Sequence, residues 1–180
     1  RRNRIYYQDL GDSKHPRLEA PVVRLLDDFD AAYEFVGNDG PVFYFSTDQG
    51  APRKRVIAVD TRRSERTAWR EVIAQAPDVL EGVQIIHDTF VARYLHDAYS
   101  QLRLFALDGK PLGEVPLPTL GSIVQVSGER RDTEMFYAFT SFLYPTTIFR
   151  HDFTTGRSSI FKAPEIALDP SKYQTVQVFY

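Results

Sequence analysis

The sequence predicts an all-β chain, about three and a half four-stranded blades of a β-propeller with very little helix, on three observations. Four times an apolar strand runs into an aspartate: Arg4-Ile5-Tyr6-Tyr7-Gln8-Asp9, Arg55-Val56-Ile57-Ala58-Val59-Asp60, Leu102-Arg103-Leu104-Phe105-Ala106-Leu107-Asp108 and Thr147-Ile148-Phe149-Arg150-His151-Asp152. Asp9, Asp60, Asp108 and Asp152 stand at intervals of 51, 48 and 44 residues, and strand-like units repeating with a period in the forties mark propeller blades. Aromatic residues make up 13% of the 180, with 13 Phe and 10 Tyr, which suits pleated, half-buried strands better than helices.

Each strand that ends in Asp is followed by a turn and another short apolar strand: Pro21 to Leu26, Ala68 to Ile73, Leu112 to Leu117 and Ser158 to Phe161. Two further strands precede three of these units: Ala32 to Val36 with Val42 to Phe45, Val83 to Ile86 with Phe90 to Leu95, and Ser122 to Val126 with Glu134 to Phe139. Full blades are therefore expected over about residues 30 to 75, 82 to 117 and 121 to 162, after the outer half of another. Asn38-Asp39-Gly40, Asp108-Gly109-Lys110 and Gly128 to Asp132 supply residues that tolerate hairpin turns. The best helical stretch, Glu71 to Leu80, is broken by Pro77 and lacks a sustained helical period. Ala163 to Lys172, with two prolines, reads as a connector, and Tyr173 to Tyr180 alternates like a strand for which the repeat has no slot.

The 22 basic and 24 acidic residues are spread along the chain and leave a net charge of −2, so nucleic acid is not an expected partner. With no cysteine there is no disulfide, thiolate zinc site or cysteine nucleophile. The compartment stays open on that ground, with a soluble, cytoplasmic setting favoured over a periplasmic one. No apolar run is long enough to span a membrane. The chain starts at Arg1 without an initiator Met and stops at Tyr180 inside an apolar alternation, so both ends are expected to be cut from something longer.

Three His-Asp pairs, His87-Asp88, His96-Asp97 and His151-Asp152, resemble parts of a catalytic triad only superficially. Neighbours on a strand point to opposite faces, and Asp at a strand end commonly bonds the backbone of its own turn. No Gly-x-Ser-x-Gly occurs; Gly121-Ser122 and Ser127-Gly128 read as turns. Asp27-Asp28-Phe29-Asp30 lacks the spaced oxygen ligands of a calcium loop. Arg53-Lys54-Arg55 and Arg62-Arg63 are interrupted by Asp60 and Glu65 and read as a solvated strand. Phe43, Tyr44, Phe45, Phe136, Tyr137 and Phe139 are assigned to packing between blades.

Several segments resemble the prolyl oligopeptidase family. Val42 to Asp60 is similar to its strand, Ala-Pro turn and second strand. Arg93-Tyr94-Leu95-His96-Asp97 resembles its Tyr-Leu-His-Asp segment, and GERRDTEMFYAFTSFLYP over Gly128 to Pro145 its Asp-Thr-Glu and Phe-Thr-Ser-Phe series. YQTVQVFY, Tyr173 to Tyr180, looks like the strand by which such chains pass from propeller to peptidase domain. The resemblance implies a serine peptidase cleaving short peptides after proline, with a seven-bladed propeller covering an α/β-hydrolase domain. It implies propeller blades over residues 1–163, the first incomplete. Residues 164–180 are then the connector and first strand leading into a hydrolase domain absent from this chain. The family's catalytic Ser, Asp and His lie in that domain, so no catalytic, cofactor-binding or metal residue is expected here, and no cofactor. The expected partners are that covalently linked domain and, for the whole enzyme, proline-containing peptides. The alternatives are a free-standing propeller-like binding module and an oligopeptidase cleaving after Arg or Lys.

Overall fold

Residues 2–165, 172–173 and 175–178 are described by a computed structural model of the chain. Fourteen strands are named: β1 (Ile5–Gln8), β2 (Val22–Leu26), β3 (Tyr33–Asp39), β4 (Val42–Thr47), β5 (Arg55–Asp60), β6 (Arg70–Ile73), β7 (Val79–Ile86), β8 (Thr89–His96), β9 (Tyr99–Ala106), β10 (Pro111–Val115), β11 (Ser122–Ser127), β12 (Glu134–Thr140), β13 (Thr147–Asp152) and β14 (Arg157–Lys162). Helix amounts to little: a three-residue 3₁₀ turn, Arg66–Ala68, stands between β5 and β6. Among the described residues no helix is long and apolar enough to cross a membrane.

The strands form one two-stranded sheet, β1-β2, and three four-stranded antiparallel meanders, β3-β4-β5-β6, β7-β8-β9-β10 and β11-β12-β13-β14. The chain divides into two compact units, Arg1–Gln75 and Ala76–Tyr180. The first holds β1 to β6 and the second β7 to β14. This is the expected set of three complete blades preceded by the outer half of another.

All four repeated aspartates act as turn devices. Each accepts the backbone N–H two residues ahead, at 2.9 Å for Asp9 to Gly11, 3.0 Å for Asp60 to Arg62, 2.9 Å for Asp108 to Lys110 and 2.8 Å for Asp152 to Thr154. Such a bond replaces the ladder where the chain must reverse, which is why Asp recurs between the third and fourth strand of each blade. Hydrogen bonds from the Arg62 side chain and backbone hold the Asp60 carboxyl at about 2. In the first hairpin, beside the Asp60 turn, Gly40 takes a φ of 55°, the left-handed geometry a tight hairpin requires.

The first strand of each meander carries a bulge at a corresponding place. Pairing slips between Phe35 and Gly37 in β3, between Leu80 and Gly82 in β7, and between Ile123 and Gln125 in β11. A bulge sharpens the local right-handed twist. Its recurrence gives the three sheets a common shape.

Alternation on these strands buries one face against another sheet. In the first unit Leu25, Leu26, Tyr33, Phe45, Ile57 and Val59 form a cluster between β1-β2 and β3-β6. In the second, Ile86, Val91, Leu102 and Val115 of β7-β10 meet Ile123, Met135, Tyr137, Phe139 and Phe149 of β11-β14. Each such side chain contributes roughly 1.5–3 kcal/mol when taken from water. Phe136 lies on the other face of β12, its ring edge-on to Phe161 at 4.9 Å, away from the core between these two sheets that Tyr137 and Phe139 enter.

Tight approach and burial both have measurable consequences. A Cβ on Gly121 would sit 2.5 Å from the Phe139 ring and from the Thr140 carbonyl oxygen. Gly121→Ala is expected to destabilise the chain by about 1–3 kcal/mol through overpacking; an unchanged urea midpoint would contradict that contact. His151 is buried on β13 with Nδ1 3.0 Å from the Ser158 hydroxyl. Burial lowers its pKa from 6.5, with the Asp152 charge opposing in part. The unfolded chain therefore takes up this proton at higher pH than the folded one, and the stability it removes is lost as pH falls below 6.5 toward the folded pKa. His151→Gln should flatten the stability profile in that window and leave the carboxylate-driven loss at lower pH; an identical slope in both proteins would refute it.

Candidate functional site

Strand direction sorts every loop of a meander to one of two ends. Ser122 pairs with Thr140, Phe139 with Thr147, and Ile148 with Lys162. The start of the first strand, the turn between the second and third, and the departure from the fourth thus share one end, here termed the exit end. The Asp turns and the first hairpin share the other.

In the second unit the exit end carries two hollows and a polar network. One hollow of about 420 Å³ is lined by Tyr99, Leu120, Thr140, Phe142, Val176 and others. A neighbouring one of about 560 Å³ lies over Ser100, Leu102, Glu114 and Leu117. Ser100 clips the two sheets together here: its N–H donates to the Gly121 carbonyl at 2.8 Å and its hydroxyl accepts the Ile123 N–H at 3.0 Å. Beside it, the His96 Nδ1 donates to Asp78 at 2.7 Å, Arg103 also pairs with Asp78, and the Arg103 guanidinium lies 4.4 Å over the Tyr94 ring. Burial pushes the Asp78 carboxyl up, but hydrogen bonds from His96 and Arg103 outweigh it and hold the group below its ordinary value. Arg103 also reaches Glu114 at 3.3 Å.

This network ties the entry to β7 and the end of β8 to the middle of β9 and has no nucleophile in it. His96 contacts Asp97 only loosely, at 3.7 Å. His87 and Asp88 are the two central residues of a hairpin, with φ of 52° and 50°. The His87 Nδ1 donates to the Asp132 carbonyl at 2.9 Å, and Asp88 pairs with Arg130 at 2.5 Å. His151 faces Ser158 rather than Asp152, whose carboxylate accepts the Thr154 and Thr155 N–H groups. A serine–histidine contact alone lacks the orienting carboxylate and the oxyanion donors that hydrolysis needs. None of the three adjacent pairs is assembled as a catalytic pair.

The other sequence candidates are tied up in ion pairs and turns. Arg66 bridges Asp28 at 2.6 Å and Asp30 at 2.8 Å, and Asp27 takes Tyr6, Arg4 and Arg24. Lys54 meets Glu34 at 3.0 Å, Arg55 meets Glu71 at 2.9 Å and Arg62 meets Asp60 at 2.6 Å, so these three basic side chains are each paired with a carboxylate. Among the described residues no group of three or more His, Cys, Asp or Glu is arranged to hold a metal ion. Of the tail expected to form a further strand, Tyr173 and Thr175 to Val178 carry no strand assignment, whereas Gln174, Phe179 and Tyr180 lie outside the described residues. Residues 166–171 of the expected connector lie outside them as well.

The exit end was not visible in the sequence. Asp78, His96 and Arg103 are far apart along the chain and meet only through strand pairing. Phe142 follows Tyr137 and Phe139, which are core, so its exposure, 96%, had no distinguishing mark.

Residues 1–164 match the family described as prolyl oligopeptidase, N-terminal β-propeller domain. A prolyl endopeptidase of Elizabethkingia meningoseptica is 29% identical over 178 residues, covering 99% of this chain and 24% of that protein. Prolyl oligopeptidase B from Galerina marginata superposes with a TM-score of 0.88 at 25% identity, covering 99% of this chain and 26% of that one. A further structure, from work on inter-domain dynamics in catalysis and specificity in two prolyl endopeptidases, superposes with a TM-score of 0.79 at 36% identity over 89% of this chain and 24% of the other. The chain thus spans about a quarter of the length of these relatives. With its repeated meanders, common bulges and turn aspartates, and with the match running from residue 1 to residue 164, the chain belongs to the prolyl oligopeptidase family, as part of its β-propeller domain.

Proposed function

We propose that these blades are the later part of a propeller that covers the active site of a serine prolyl oligopeptidase and limits admission to short peptides. Residues 1–163 form the blades, and residues 164–180 lead into an α/β-hydrolase domain that carries the catalytic serine, aspartate and histidine. The observation that carries this reading is the match of nearly the whole chain to the propeller domain of peptidases about four times its length. The chemistry of the described residues agrees with it. Histidines and carboxylates are committed to turns and ion pairs, and a cover that excludes water and bulky substrates needs shape rather than reactive groups.

The reading assigns the chain no catalytic residue and the longer protein a proline-specific activity. The isolated 180-residue chain is expected to leave a Gly-Pro chromogenic substrate intact, while the longer polypeptide encoded by the same reading frame cleaves it. Turnover by the isolated chain would overturn the assignment of sites, and a longer polypeptide with no such activity would overturn the assignment of function.

A further inference from the structure

The turn between β12 and β13 holds a large aromatic side chain out in water. Phe142 is 96% exposed, more than any other large apolar residue described. Its loop is nonetheless firmly built. The Ser141 hydroxyl accepts the N–H groups of Leu143 and Tyr144 at 3.1 and 3.0 Å, and the Ser141 N–H donates to the Tyr144 carbonyl at 2.8 Å. Behind it the Tyr144 ring packs edge-on to Phe139 at 6.1 Å, and the Thr147 hydroxyl donates to the Pro145 carbonyl at 2.8 Å. A rigid loop presenting one exposed aromatic ring at its tip has the character of an interface anchor, because the ring contributes area with little further loss of freedom.

The course of the chain identifies what would meet it. β14 departs at Lys162 on the same end of the sheet as this turn. Thr175, Val176 and Gln177 then line the same hollow as Phe142, Tyr99 and Leu120. Thr175 to Gln177, beyond the last blade, therefore lie at the exit end, beside Phe142, and not toward the Asp turns. Val176 and Val178 are themselves 66% and 74% exposed there, so the apolar surface continues from the loop onto the outgoing segment.

We propose that Phe142 is the anchor by which this propeller seats on the peptidase domain that follows it, its ring entering an apolar recess of that domain and its release accompanying separation of the two. This rests on the reading that such a domain follows. The partner is thus in the same polypeptide, and the contact needs only one recess, since Ser141 and Tyr144 already fix the loop. A single desolvated aromatic of this kind shifts an open–closed equilibrium by about tenfold when truncated.

The test uses the longer polypeptide, as wild type, Phe142→Ala and Phe142→Leu. Small-angle scattering is expected to give Phe142→Ala a larger radius of gyration, and limited proteolysis to cleave it about tenfold faster between residues 163 and 172. Phe142→Leu should restore most of the closed form. Because the ring makes no part of either core cluster, the thermal midpoint of the propeller should not move. Wild-type radius and cleavage rate in Phe142→Ala would overturn the proposal. So would a concentration-dependent mass in the wild type that Phe142→Ala abolishes, since the occupant would then be a second copy. Absence of prolyl activity in the wild type bears on the reading of function instead, because scattering and proteolysis report docking whether or not the second domain is catalytic.

Discussion

A twisted four-stranded sheet with one apolar face cannot remain alone in water, and the rest of this structure follows from how that face is covered. In the second unit Ile86, Val91, Leu102 and Val115 on one sheet pack against Ile123, Met135, Tyr137, Phe139 and Phe149 on the next. The first unit repeats the arrangement, with β1-β2 covering β3-β6 through Leu25, Leu26, Phe45 and Ile57. Sheets stacked this way need a common twist, which the bulges at Phe35–Gly37, Leu80–Gly82 and Ile123–Gln125 provide. They also need close approach, which leaves little room for a side chain at Gly128, where a Cβ would sit 2.9 Å from Ile86 of the neighbouring sheet. The far face of β11-β14, with Phe136, Ile148 and the 62% exposed Phe161, is the same kind of surface.

Much of this was legible because the repeat is local. An aspartate that takes its own turn's N–H two residues on must recur wherever a third strand meets a fourth, and Asp9, Asp60, Asp108 and Asp152 do so. Strand periodicity located all fourteen strands to within a few residues. What escaped depends on contacts between distant positions. Alternation alone could not tell that Phe136 turns away from the core that Tyr137 enters, since both faces of this sheet carry aromatics. The pairing of His96 with Asp78 instead of its neighbour Asp97 is likewise set by strand register, which brings Asp78 back beside it. Phe142 is indistinguishable in sequence from the core Phe139 before it; the Ser141 turn that turns it outward is visible only in three dimensions.

On the proposed reading, function is a matter of shape and of which end of the sheets faces what. Charged residues that could act as acids, bases or ligands are spent within the fold: Arg66 on Asp28 and Asp30, Arg103 on Asp78 and Glu114, Arg62 on Asp60. This suits a cover whose task is exclusion, because a reactive or strongly charged wall would bind what it should only admit or refuse. The two ends differ in kind. One is closed by short Asp turns that satisfy their own backbone, and the other carries hollows, an exposed anchor and the outgoing chain.

That asymmetry is the central claim, and hydrogen exchange measures it directly. Comparing the isolated chain with the longer polypeptide should show added protection at Asp97-Ala98 and across Ser141 to Pro145, with unchanged exchange in the turns after Asp60, Asp108 and Asp152. Protection confined to the aspartate turns would place the following domain on the opposite end and contradict the account.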